Sequence, residues 1–226
     1  MKIKTASLIQ STFLLLSSLI FLGTYGQTKK TSLEKIYLHV AGGASSHKGS
    51  FSEFGVQTVL KHNWTSTFSY HSIEMNPKNL PANYDPGYTV VFFIPLRNAD
   101  PAIHMKLYSL SAGKFLKAGR NTWFTTEAGL SVVNGEKISF SPVSVNQSGN
   151  DPLFLLFGIA YTPPNYNTTV EKKTTIGGIL RANFNWAFSS FAGLGAGVFA
   201  NFNSIQSPVG FDIKLTCGWM NRKSKR

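Results

Sequence analysis

The feature that most limits how this chain can fold is an alternation of apolar and polar residues with a period of two. It recurs in segments of roughly ten residues separated by turn-forming residues, the signature of strands with two unlike faces. Residues Val209–Trp219 state it most clearly. Val209, Phe211, Ile213, Leu215, Cys217 and Trp219 fall on one face, and Gly210, Asp212, Lys214, Thr216 and Gly218 on the other, because successive strand side chains point to opposite sides. One face carries no charge and suits lipid; the other suits a polar interior. Residues 176–188 repeat the pattern, with Ile176, Leu180, Ala182, Phe184, Trp186 and Phe188 opposite Ile179, Arg181, Asn183 and Asn185. Residues 191–202 set Leu194, Val198, Ala200 and Phe202 against Phe191, Gly193, Gly195, Gly197, Phe199 and Asn201. In residues 122–132, Phe124, Ala128, Leu130 and Val132 oppose Trp123, Thr125, Glu127, Gly129 and Ser131.

The same period predicts strands over 36–44, 52–62, 65–74 and 105–117, giving eight in all. An even number places both chain ends on one side of a closed, up-and-down antiparallel barrel. Tight connections at Asn63-Trp64, Ala118 to Asn121 and Ser189-Ser190 alternate with 46–50, about 75–103, about 134–172 and 204–207. Short turns on one side and longer loops on the other match periplasmic turns and extracellular loops. The apolar runs at 88–96 and 153–161 lie inside the two longest loops. They read either as hairpin extensions above the membrane or as further spanning strands, which would make ten.

Residues 1–26 have the layout of a secretory signal peptide. Lys2 and Lys4 precede an apolar run from Phe13 to Leu22, and Thr24 and Gly26 are small residues before a cut at Gln27. The apolar core has about half of the roughly 20 residues that a helical span needs. No Cys lies near the cut, and Cys217 is the single cysteine, so no internal disulfide stabilises the exported chain. The sequence has 22 Lys and Arg against 10 Asp and Glu. Export, and the absence of a basic stripe interleaved with aromatics, argues against nucleic acid as a partner. The basic residues are dispersed except in the tail at 221–226. The expected organisation is therefore a leader (1–26), a barrel domain (27–220) and that tail.

The segments GKFLKAGRNTWFTTEAGLSVV (113–133) and RANFNWAFSSFAGLGAGVFANF (181–202), with the leader and the eight alternating segments, make this chain resemble the small outer-membrane β-barrels of Gram-negative bacteria. The resemblance implies a porin-like barrel in the cell outer membrane, in contact with its lipids and inserted by the barrel assembly machinery. It implies no cofactor and no catalytic motif. Trp219 stands where such barrels end their last strand in an aromatic residue, and seven residues follow it.

The inward faces collect His39, Lys61, His71, Glu127, Arg181, Asp212 and Lys214. A narrow barrel is filled by side chains, and unpaired buried charge is costly. Glu127, Arg181, Asp212 and Lys214 are therefore the candidate lumen charge network, paired across the interior and plugging it. Hydrolytic chemistry would need His39, His71 and Asp212 to converge with a serine from 66–72, and no Gly-x-Ser-x-Gly elbow marks one. His39, His47, His62, His71 and His104 lack paired metal-ligand spacing. Trp64, Trp123, Trp186 and Trp219 fall near strand ends, where aromatic girdles form. The expected role is structural, surface-interacting or limited solute passage, without enzymatic activity. The alternatives are a soluble exported ligand-binding barrel, apolar inside and polar outside, or a barrel enzyme at the membrane surface.

Overall fold

The computed structural model describes residues 33–91, 94–143 and 159–219. The expected leader, the basic tail and residues 153–158 of the second apolar run lie outside them. The strands are β1 (Leu33–Ser45), β2 (Gly49–Leu60), β3 (Trp64–Met75), β4 (Tyr88–Val91), β5 (Ile94–Arg97), β6 (Ile103–Lys117), β7 (Thr122–Pro142), β8 (Ile159–Thr162), β9 (Tyr166–Ala187), β10 (Ala192–Phe202) and β11 (Val209–Trp219). Eight of them close a barrel in the ring order β1-β2-β3-β6-β7-β9-β10-β11. Each neighbour is antiparallel, and the seam runs from Ile36↔Trp219 to Ser45↔Gly210. Strands of 11 to 13 residues in β1, β2, β3, β10 and β11 reach or exceed the roughly 9–11 tilted residues that cross a bilayer.

The eight strands expected from alternation are the eight of the barrel. The run at 88–96 adds no spanning strand, and neither does the described end of the run at 153–161, which begins β8. The first run supplies β4 and β5 of a separate three-stranded sheet, ordered β5-β4-β8, outside the barrel. The ends of the two longest strands differ from expectation. β7 continues past residue 132 to Pro142, and β9 begins at Tyr166 rather than 176, paired in unbroken register from Thr122↔Trp186 to Pro142↔Tyr166. Ten further residues in each strand add roughly 34 Å of hairpin, at about 3.4 Å per residue. Past Gly135, where pairing with β6 ends, this hairpin stands outside the closed ring, where no lumen imposes alternation. The segment between β3 and β4 packs on it. Asn79 Nδ2 donates to Ile138 O at 2.9 Å, and Tyr84 meets Phe140 edge-on at 5.6 Å.

Connections at 61–63, 118–121 and 188–191 share one end of the barrel with the start of β1 and the end of β11; those at 46–48, 76–102, 143–165 and 203–208 share the other. The turns at 46–48 and 61–63 both place non-glycine residues in the left-handed region: His47 and Lys48 (φ 60° and 54°), and His62 and Asn63 (φ 61° and 59°).

Candidate functional site

The inward faces of the strands carry the barrel's buried polar groups. At their centre is Glu53 on β2. Its Oε1 accepts hydrogen bonds from Arg181 Nη2 of β9 and from His39 Nε2 of β1 at 2.7 Å. Arg181 Nη2 also lies 2.9 Å from His71 Nε2. Because guanidinium can only donate, His71 Nε2 is an acceptor and its proton sits on Nδ1, 3.9 Å from Glu53 Oε2. β2 and β9 stand four places apart in a ring of eight, so the Glu53–Arg181 pair spans the lumen from wall to wall. Arginine has the reach for this, and its neighbours leave room. A Cβ at Gly55 would come within 2.5 Å of the His39 ring, and one at Gly197 would collide with the Asn183 side chain.

A second acid, Glu127 on β7, is held by neutral donors. Gln57 Nε2 donates to Oε1, Thr67 Oγ1 donates to the same oxygen at 2.7 Å, and Ser111 Oγ donates to Oε2 at 3.0 Å. Lys214 Nζ donates to Asn183 Oδ1 at 3.1 Å. Asn201 Nδ2 donates to Ser131 Oγ at 2.7 Å. Each of these groups is buried and each has at least one partner, as interior charges and amides require, while Glu53 Oε2 and Arg181 Nη1 make no hydrogen bond among the described residues.

Apolar side chains lie on both sides of this polar layer. Toward the long loops, Phe51, Ile73, Met105, Leu107, Val133 and Phe199 belong to one buried cluster, against which Phe140 and Ile205 pack. Toward the short turns, Tyr37, Val59, Phe115, Trp123 and Ala187 form another. Phe115 and Trp123 stack at 5.8 Å, and Lys35 Nζ lies 4.7 Å from the centre of the Phe115 ring.

The outward faces are the reverse. Ile176 is 74 % exposed, Leu130 69 % and Ile213 62 %, while Glu53, Glu127, Arg181, Asp212 and Lys214 are at most 6 % exposed. A barrel in water cannot leave a continuous belt of large apolar side chains uncovered, whereas a bilayer-spanning barrel requires one. The chain folds as a closed, bilayer-spanning β-barrel of eight strands. The distribution is opposite to that of a soluble ligand-binding barrel.

No protein-family model matches the chain, and no curated protein does. Among solved structures, the chain is similar to the N-terminal β-barrel domain of Pseudomonas aeruginosa OprF (11% identity, 81% of this chain and 96% of that one, TM-score 0.48). It is similar to Ail, the attachment invasion locus protein of Yersinia pestis (8% identity, 84% and 99%, TM-score 0.45). It is also similar to Neisserial surface protein A (10% identity, 81% and 94%, TM-score 0.46).

Within the barrel, the expected lumen residues His39, His71, Glu127, Arg181, Asp212 and Lys214 all point inward and are buried. Glu127 and Arg181 are direct cross-strand neighbours, yet their side chains part. Arg181 turns to Glu53, and Glu127 to amide and hydroxyl donors. Asp212 Oδ1 has no hydrogen-bond partner among the described residues. Glu53 was not among the expected residues, although it continues the parity of Gly55 and Gln57 by one step. Lys61 corrects the opposite way. It was expected inside, but β2 ends at Leu60 and Lys61 is exposed in the turn. Phe191, also expected inside, is 64 % exposed in the turn before β10. Trp64 and Trp186 face outward, half exposed, whereas Trp123 is buried in the lumen and not in a girdle; the Trp219 side chain lies outside the described set. Of the hydrolytic grouping, Ser69 Oγ is 3.1 Å from His71 Nε2, the nitrogen that also faces Arg181. The carboxylate beside that histidine is Glu53, not Asp212.

Proposed function

We propose that this protein is a closed barrel of the outer membrane, acting through its wall and its surface rather than as a conducting pore or an enzyme. The observation that carries the reading is the layered filling of the lumen. A polar layer built on the Glu53–Arg181 tie lies between an apolar cluster at each mouth. An ion moving along the axis would have to displace Phe51, Phe199 and Leu107, separate a buried ion pair, and then displace Phe115 and Trp123. About eight strands leave an interior just wide enough for side chains. The Ser69–His71 contact lies within the same packed interior, which supports a structural role for it.

The surface part of the reading rests on the β7–β9 hairpin and the β5-β4-β8 sheet, which stand beyond the bilayer on the long-loop side. With short turns in the periplasm, these elements are the part of the molecule that faces the outside of the cell. Their role is envelope structure or surface contact. The deciding experiment is a planar-bilayer recording of the purified, folded protein. A closed barrel gives little steady conductance, and the double substitution of Phe115 and Trp123 to alanine raises it only when the long-loop cluster is opened as well. Large, stable, ohmic channels from the unaltered protein refute the reading in favour of a porin-like one.

A further inference from the structure

Among the described residues, the charges of the short-turn rim occupy one half of it. Lys61 and His62 lie in the turn between β2 and β3, Lys114 and Lys117 on β6, and Arg120 in the turn between β6 and β7. All five are exposed. Lys35 on β1 adjoins them, and Glu34 is the single acid on this rim among the described residues. In the ring, β1, β2, β3, β6 and β7 are consecutive, so the cations form a continuous arc of roughly 20 Å at a strand spacing of about 4.8 Å. The other half, at the ends of β9, β10 and β11, has no charge among the described residues. There Trp186, Phe188 and Phe191 are 47 %, 51 % and 64 % exposed. The opposite rim has a different character: Lys106, Lys137, Lys172 and Lys173 are interspersed with Glu74, Glu136 and Glu171.

Lys114 locates the arc relative to the bilayer. It lies on the lipid-facing side of β6, between Ala112 and Leu116, and its Nζ sits 4.0 Å from the centre of the Trp64 ring across the strand pair. An indole is favoured at the membrane–water interface, and a lysine stem runs along apolar surface while its head stays at the polar boundary. The ammonium held over Trp64 is thus at headgroup level and turned toward lipid, not toward the barrel axis. We propose that this arc binds the anionic headgroups of phospholipids in the leaflet at the short-turn side, with Lys114, Lys117 and Arg120 as the principal contacts. The proposal rests on the membrane-barrel reading. Each cation near an anionic membrane surface contributes about 1 kcal/mol at modest ionic strength, equivalent to about fivefold in affinity. The described residues of the aromatic half supply no such preference, so along them the annulus of lipid is sorted by side.

The test uses the folded full-length barrel in bilayers of phosphatidylcholine with trace spin-labelled phosphatidylglycerol or phosphatidylcholine, comparing the motionally restricted fraction of each label. The unaltered protein is expected to restrict phosphatidylglycerol with about fivefold selectivity, reduced by salt. Lys114→Gln/Lys117→Gln/Arg120→Gln is expected to bring selectivity near parity. Lys114→Arg/Lys117→Arg retains it, and Lys106→Gln/Lys172→Gln/Lys173→Gln on the other rim leaves it unchanged. Equal restriction of both labels by an inserted, folded barrel overturns the proposal alone. So does selectivity that follows the other rim, or an arc that loses only the binding of a soluble anionic polysaccharide. A chain that inserts into neither lipid overturns the membrane-barrel reading as well.

Discussion

Substituting Glu53 by glutamine tests whether the lumen is organised around one carboxylate. The side chain keeps its size and one carbonyl acceptor, so His39 retains a partner. Arg181 does not retain its counter-ion. It is buried opposite β2, and among the described residues neither Glu127 nor Asp212 makes a hydrogen bond or ion pair with it. Removing one member of a buried ion pair costs about 3–5 kcal/mol, because the remaining charge stays desolvated. The matching change at Glu127 removes a carboxylate whose three contacts are neutral donors, and glutamine still accepts from them. Its cost is about 1–3 kcal/mol, that of a disturbed buried hydrogen-bond set. The expected order is therefore Glu53→Gln well above Glu127→Gln. Pairing Glu53→Leu with Arg181→Met should recover much of the loss, since replacing both members with apolar groups is often neutral. Urea unfolding of the vesicle-inserted barrel gives these values by linear extrapolation, read by tryptophan fluorescence and by the gel mobility of the unheated form. A Glu53→Gln loss below about 1 kcal/mol would refute the reasoning. So would a double variant whose cost equals the sum of the singles, because contacting residues should couple.

Three further outcomes are expected. Leu215→Arg puts a charge on the lipid face near the middle of β11 and should cost about 2–4 kcal/mol in vesicle unfolding, against less than about 1.5 for Leu215→Met; equal effects would mean the strand is not lipid-facing. Lys48→Gly relieves a left-handed residue in the 46–48 turn and should raise the unfolding midpoint, by up to about 1 kcal/mol; a lowered midpoint would show that the Lys48 side chain matters more than its φ. Trypsin added to intact cells should cut within 76–102, at Lys78 or Arg97, and spare Arg120 in the 118–121 turn; the reverse pattern would invert the proposed orientation.

Most of the barrel was legible in the sequence because the bilayer enforces it. Each spanning residue must face lipid or lumen, so Phe211 and Asp212, or Phe184 and Asn185, betray their sides by chemistry alone. Legibility failed where that constraint lapses. Glu136 to Pro142 and Tyr166 to Lys172 stand outside the closed ring, and their pairing is set by hairpin register, not by polarity. Parity also misleads at strand ends. Extended one step too far, it sent Lys61 and Phe191 inside, and stopped one step too soon, it omitted Glu53. The partners were harder still. Local spacing assigns a side chain to the lumen, but which residue it meets depends on ring order and stagger. Arg181 lies opposite Glu127 in register and yet reaches across to β2. The masking of Trp123 as an interface residue has a similar origin, since a tryptophan near a turn suits a girdle and a lumen plug equally well by position.

The diametric tie also has a consequence for how the chain reaches its membrane. Glu53 and Arg181 are 128 residues apart in sequence, and export delivers the acid first. Until β9 takes its place, β2 carries a carboxylate that lipid will not accept and that has only the imidazoles of His39 and His71 beside it, with no permanent cation. A partial sheet made of β1, β2, β3 and β6 therefore has a standing reason to keep its inner face in water. Insertion becomes favourable only when the late strand brings the guanidinium. The same two groups that fill the finished barrel thus act during biogenesis as a completeness check, and chains truncated before β9 should remain in the periplasm for degradation instead of lodging in the bilayer half-built.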